Sequence, residues 1–294
     1  MITLPKRILV PTDFSPASNR ALALAKKMAL HFNAEIHLLH VRVLLNDPCV
    51  DSEILDEVER ILATSEPATR DVLERAGGKG DTSILTHIER GTAAGPVITD
   101  AVTEYDCDLV IMGTHGRRGL NRLLTGSVAQ EVVHHSPVPV LTTRAAKGGS
   151  SIPHKMLAAV DFSETSLVAV DWAANLAEGV DGEVTLLHVF EPLIYPDFYV
   201  LESPIEDRED IKDHCLDSLS AIANERLAKV PSTVAVIHGH VAQSISSYAH
   251  DNDHDLVVLA TNGLSGLSHA VLGSVAERTV RLSMVPVLTA RGRS

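Results

Sequence analysis

The sequence predicts an α/β protein of two like halves, each a parallel sheet with helices on both faces. Three observations carry that prediction. Short aliphatic runs alternate strictly with longer stretches of helical period. Those runs are apolar throughout instead of alternating with polar residues, as in strands buried on both faces. The whole pattern then recurs in order after about half of the 294 residues. Aromatic residues make up only 3% of the chain, so the cores must be built from Ala, Val, Leu and Ile.

The elements of the first half follow in order. Ile8 to Val10 is a short aliphatic strand. Ser15 offers an N-cap and Pro16 a first helical position whose missing N–H costs nothing. Ala21, Ala25, Met28 and Phe32 then share one helical face. Ile36 to Val41 is the second strand, and a polar segment with a helical stretch over about 51–76 follows. Ile84 to Ile88 is the third strand and Ala93 to Glu104 a helix. Leu109 to Met112 is the fourth strand, Ser127 to His134 a helix, and Val138 to Leu141 the fifth strand.

The second half repeats these blocks. RILVPTDFS from Arg7 matches KMLAAVDFS from Lys155, which pairs Asp13 with Asp161, and LLHV from Leu38 recurs from Leu186. DLVIMGTHG from Asp108 matches DLVVLATNG from Asp255, LLTGSVAQ from Leu123 matches AVLGSVAE from Ala270, and SPVPVLTTR from Ser136 matches SMVPVLTAR from Ser283. Ala145 to Ser151 is a small-residue stretch of linker character. The expected domains are therefore residues 1–147 and 148–294.

Composition narrows the function. With 25 basic and 38 acidic residues the net charge is −13, which argues against nucleic acid and against docking on anionic membrane. Cys49, Cys107 and Cys215 show no paired spacing, so neither a disulfide framework nor a C-x-x-C site is indicated, and a reducing cytoplasmic setting is expected. The N-terminal residues do not read as a signal peptide, and no apolar run reaches the roughly 18 residues of a membrane helix. The sequence reads as a soluble protein without membrane insertion.

The most informative segment reads G-x2-G-x9-G-S, from Gly113 and Gly116 to Gly126 and Ser127, directly after a strand and directly before a helix. Glycines let backbone N–H groups approach an anion closely, and a helix N-terminus favours a phosphate. Ser127 can donate to a phosphate oxygen or help hold a metal, while Arg117, Arg118 and Arg122 add positive charge. A strand-to-helix connection usually takes roughly 2–6 residues, so this long glycine-punctuated loop favours binding over a mere turn. It is no P-loop, because Gly77-Gly78-Lys79-Gly80-Asp81-Thr82 has the wrong spacing, and no G-x-G-x-x-G follows the first strand.

On these residues both halves resemble the universal stress protein family, in its ATP-binding branch. The resemblance implies a five-stranded parallel sheet of order 3-2-1-4-5, an open α/β domain of the adenine nucleotide alpha-hydrolase-like kind. It implies ATP, with magnesium held through the phosphates and not by a metal centre of the protein. Adenine and ribose would lie against Pro11, Thr12, Asp13 and Val41, and the triphosphate against Gly113, Gly116, Arg117, Gly126 and Ser127. The corresponding positions in the second half are Val160, Asp161, Val189, Ala260, Gly263, Gly273 and Ser274. Ala260 replaces the first glycine, a mild departure by the resemblance, whereas Arg117, Arg118 and Arg122 become Leu264, Ser265 and His269, a loss of charge that should weaken the second site.

Asp13 and Asp161 read equally as helix caps, and the resemblance favours ligand contact. His40 and His188 read as structural. His238 with His240 (one strand face), His250 with His254 (helical spacing) and the adjacent His134 and His135 fit no metal motif. His115 lies in the glycine loop, but Asn262 stands at its counterpart. No general base for Ser127 is evident, so ATP is expected to be held and turned over slowly at most. Pro139 and Pro286 put strand five at an edge. The resemblance makes that edge a pairing surface, for a homo-oligomer or for an internal pseudo-dimer of the two repeats. The expected function is a nucleotide-dependent stress regulator or sensor with an unidentified protein partner. A slow ATPase or phosphotransfer enzyme and a scaffold with vestigial pockets are the alternatives.

Overall fold

The computed structural model describes residues 3–43, 52–78, 82–114, 126–144, 151–191, 209–261 and 273–291, with Arg60 the only side chain described between 52 and 64. The first half runs β1 (Arg7–Pro11), α1 (Pro16–Phe32), β2 (Glu35–Val43), α2 (Ser52–Gly77), β3 (Ile84–Gly91), α3 (Ala94–Glu104), β4 (Leu109–Gly113), α4 (Ser127–His135) and β5 (Val140–Thr143). The second runs β6 (Lys155–Ala159), α5 (Glu164–Val180), β7 (Glu183–Phe190), α6 (Glu209–Arg226), β8 (Ser232–His238), α7 (Val241–Asp251), β9 (Leu256–Ala260), α8 (Ser274–Leu282) and β10 (Val287–Ala290).

Local chemistry sets the ends of the leading helices. The Ser15 side chain accepts from Ser18 N to cap α1, and Ser163 accepts from Ser166 N to cap α5. Both helices end on a left-handed residue, Asn33 at φ 53° and Asp181 at φ 52°, the side-chain types that tolerate that region best after glycine.

The strands form one sheet in the order β3-β2-β1-β4-β5-β10-β9-β6-β7-β8. Each half therefore has the expected order, and every pairing within a half is parallel. The halves join where β5 and β10 pair antiparallel, with Leu141 opposite Leu288. Thr142 Oγ1 donates to the Val287 carbonyl at 3.1 Å and Thr289 Oγ1 to the Val140 carbonyl at 3.2 Å. These are equivalent residues of the two repeats exchanging equivalent bonds, so an approximate twofold axis passes through the Leu141–Leu288 pair.

The prolines act differently from the expectation that they confine strand five to an edge. Strand five is the edge of its own half but lies at the centre of the joined sheet. Pro139 and Pro286 stand immediately before β5 and β10, and their carbonyls accept from Val110 N and Val257 N, each at 3.0 Å. No ladder N–H is lost, because the ladder starts one residue later.

Two apolar layers flank the sheet. Buried residues of α1, α5 and α6, with Leu73 of α2, pack on one face, and those of α3, α4, α7 and α8 pack on the other. Each layer draws from both halves, so the core runs across the seam unbroken. Among the described residues no helix is long and apolar enough to cross a membrane.

Two histidine expectations are corrected. His240 is not on a strand face with His238, because β8 ends at His238 and His240 is the N-cap residue of α7. His254 is not on a helix with His250, because α7 ends at Asp251. Its ring is buried, with Nε2 bonded to Thr185 Oγ1 at 3.0 Å.

Candidate functional site

β1 and β4 are parallel neighbours, yet their helices leave to opposite faces, α1 to one layer and α4 to the other. That divergence opens a crevice at the strands' carboxyl ends, where α/β sheets take ligands. The residues expected to meet adenine and ribose lie on its β1 side. Pro11 ends β1, and Thr12 is buried with its N–H bonded to the Leu39 carbonyl at 2.8 Å. The Thr12 hydroxyl accepts from Phe14 N at 3.1 Å and donates to Ser18 Oγ at 3.2 Å. Asp13 is half-buried, and its Oδ1 accepts from Ser15 N at 3.0 Å, so the carboxylate does serve the helix start. Asp161 does the same for Ser163 N at 3.0 Å.

The residue after each aspartate was not singled out by sequence. Phe14 sits at φ 62° and Phe162 at φ 64°, a conformation that costs a non-glycine residue on the order of 1–3 kcal/mol. The repeated Asp-Phe-Ser was the available signal. Each Phe ring packs on a histidine, Phe14 on His40 at 4.8 Å and Phe162 on His188 at 4.6 Å between centroids. His40 Nδ1 meets the Thr12 carbonyl at 2.8 Å and His188 Nδ1 the Val160 carbonyl at 2.7 Å. A carbonyl only accepts, so Nδ1 carries the proton in both rings. Both histidines thus anchor the turn after the first strand, the structural role expected of them. Val41 is half-buried beside the same turn, and its counterpart Val189 and the turn residue Val160 are buried.

The β4 side supplies the anion end. Gly113 closes β4, and a Cβ there would lie 2.7 Å from the Ala17 carbonyl carbon and 2.9 Å from Ser18 N. The first glycine of the loop signature is thus required by the first turn of α1, whatever a ligand needs. The chain leaves at Thr114 and returns at Gly126, whose N–H bonds the Thr114 carbonyl at 2.6 Å. Gly126 is the N-cap residue of α4 at φ −62°, a value open to any residue, and makes no side-chain cap. Glycine there offers no side chain to cap the first N–H groups of α4. Ser127 follows, exposed. Gly273 and Ser274 reproduce this at α8, with Gly273 N 2.6 Å from the Thr261 carbonyl and Ala260 ending β9. The expected contacts at Gly116, Arg117, Arg118, Arg122, His115 and Gly263 lie outside the described residues, as do Leu264, Ser265 and His269.

Two features at the seam were likewise not singled out. Gln130 of α4 donates from Nε2 to Glu277 Oε1 of α8 at 3.0 Å. Arg291, after β10, donates to the His134 carbonyl, whereas Nε and Nη2 of Arg144, its counterpart after β5, have no hydrogen-bond partner among the described residues. Burial lowers the pKa of that guanidinium.

Other titratable groups lie away from the crevice. At the opposite end of the sheet, buried His37 bonds Glu35 Oε1 at 3.0 Å and the His87 ring at 3.1 Å, and Tyr105 stacks on His87. Among the described residues no group of three or more His, Cys, Asp or Glu side chains is placed to hold a metal ion.

Comparison with known proteins bears on the whole chain. The family described as the universal stress protein family matches residues 5–144 and again 153–291. Universal stress protein YxiE of Bacillus subtilis is 33% identical over 147 residues, 47% of this chain and 99% of its own length. A universal stress protein of Mycolicibacterium smegmatis is 26% identical over 297 residues, 97% of each chain. The crystal structure of a universal stress protein from Archaeoglobus fulgidus shares the fold with a TM-score of 0.67 at 22% identity, covering 98% of this chain and 97% of that one.

Proposed function

The chain belongs to the universal stress protein family and carries its domain twice; from that premise we propose that it is an ATP-binding stress regulator or sensor, whose contacts with a protein partner depend on the nucleotide. The observation that carries the reading is the parting of α1 and α4 to opposite faces beside the paired strands β1 and β4, with the Pro11–Asp13 turn after one strand and, after the other, a helix N-terminus that Gly126 does not cap. In this reading adenine and ribose lie against the turn and Val41. The phosphates lie over Gly126 and Ser127, where N–H donors and the helix dipole face a negative ligand. Magnesium is held through phosphate oxygens.

The residues fit such a ligand. The first N–H groups of α4 are donors that Gly126 does not cap, Ser127 is exposed, and the bulk net charge of −13 is largely screened beyond about 8 Å at physiological salt. Turnover is expected to stay below about 1 s⁻¹, the low end of ordinary enzymes, since the loop sequence supplies no general base for Ser127.

Native mass spectrometry of freshly purified protein and calorimetry with Mg-ATP test the proposal. Wild-type protein is expected to bind ATP, and Gly126→Ala to weaken the first site about tenfold. At φ −62° alanine is free of backbone strain, so that loss reports the crowded mouth and not misfolding. Gly273→Ala should do the same at the second site. Absence of copurified nucleotide together with a Kd above about 1 mM would overturn the reading.

A further inference from the structure

The first turns of α4 and α8 meet across the seam, where the two helices pack in the same layer on either side of the twofold axis. Gln130 and Glu277 each lie one turn inside their helix: Gln130 N bonds the Gly126 carbonyl and Glu277 N the Gly273 carbonyl, both at 3.1 Å. Long helical side chains lean back toward the N-terminus, so these two reach over the first turns. There they meet each other, Gln130 Nε2 donating to Glu277 Oε1 at 3.0 Å. The two residues occupy equivalent places in the repeats, yet one is neutral and the other an acid.

A carboxylate in the first turn is itself stabilised by the positive end of the helix. An incoming phosphate needs the same field and the same N–H groups. α4 has no acidic residue in its first turn, whereas α8 has Glu277. We propose that Glu277 is a built-in anion that makes the second half the weaker phosphate site, with Gln130 holding its carboxylate in place across the seam. This rests on the reading that both halves take ATP. Nucleotide then fills the first half first, and the occupancy of the second half reports higher ATP concentrations. A regulator with these sites has two response thresholds instead of one.

Calorimetry and native mass spectrometry with Mg-ATP and, separately, with adenosine decide the matter. Wild-type protein is expected to load ATP in two unequal steps. Glu277→Gln should raise ATP affinity at the weaker site about two- to fivefold, the range of a charge in a first helical turn, and leave adenosine binding unchanged. Glu277→Asp, which keeps the charge, should retain the unequal steps. The gain in Glu277→Gln should shrink as salt rises. Equal ATP steps in wild type, or a Glu277→Gln change that moves ATP and adenosine alike, would overturn the inference, the second because it marks a purely structural effect. A wild-type protein that binds neither ligand would overturn the nucleotide reading itself and this inference with it.

Discussion

At the scale of single residues, the half-buried His87 and the buried His254 carry a pH response. Burial, and then the neighbouring His37, lowers the pKa of His87; burial, and then Lys155, lowers that of His254. As pH falls through about 6.5 the unfolded chain takes up protons that these native rings refuse. The unfolded state then binds more protons than the native state, so stability falls with falling pH and recovers above that range. Urea midpoints at pH 7.5 and 5.5 should show the drop. Cys107 occupies the place of His254 in the first half, which makes His254→Cys the natural test: the variant should lose part of the pH dependence, and an unchanged slope would rule His254 out as a source. Sequence alone did not mark either ring as pH-sensitive. His254 read as a helical partner of His250 because i, i+4 spacing was visible, whereas the end of α7 at Asp251 was not. The turn residues fared better, since Asp13, Ser15 and Pro16 each have a local role that spacing reveals. The left-handed Phe14 did not, because no rule of local preference puts phenylalanine there.

At the scale of elements, strands were legible because buried parallel strands are continuous aliphatic runs, and helix starts because their caps are local. Strand five was the exception. Pro139 and Pro286 announced an edge, but a proline one residue ahead of a ladder leaves it intact, and which surface meets that edge is a long-range fact. The loop signature was legible as a pattern, while the reason for its first glycine was not. Gly113 is where α1 rests on β4, with Ala17 and Ser18 inside the reach of any Cβ. Gly113→Ala should therefore cost about 1–3 kcal/mol of stability by overpacking, measured by chemical denaturation without nucleotide. The reverse change in the second half, Ala260→Gly, should cost less than about 1 kcal/mol. Equal effects of the two would mean that α1 and α5 pack alike and that Gly113 is there for another reason.

At the scale of the molecule, the two halves share one sheet and two continuous apolar layers. A chain with two independent domains melts in two steps, whereas one with a common core melts in one. Calorimetric unfolding is expected to be a single transition with equal calorimetric and van't Hoff enthalpies, and two resolved transitions would show the seam to be weaker than its packing implies. Saturating either proposed site, at about 100 times its Kd, should then raise the stability of both halves together by about 2.7 kcal/mol.

The axis through Leu141 and Leu288 has one more implication. In a dimer of identical chains every substitution appears twice, so a residue facing its own copy can only become Gln against Gln or Glu against Glu, and an advantage to one side is tied to whatever it does to the other. Joining the copies in one polypeptide cuts that tie. Gln130 against Glu277, Arg144 against Arg291 and Cys107 against His254 are pairs that a symmetric assembly cannot hold. The covalent link thus lets two copies of one inherited domain diverge while the interface that joins them stays closed.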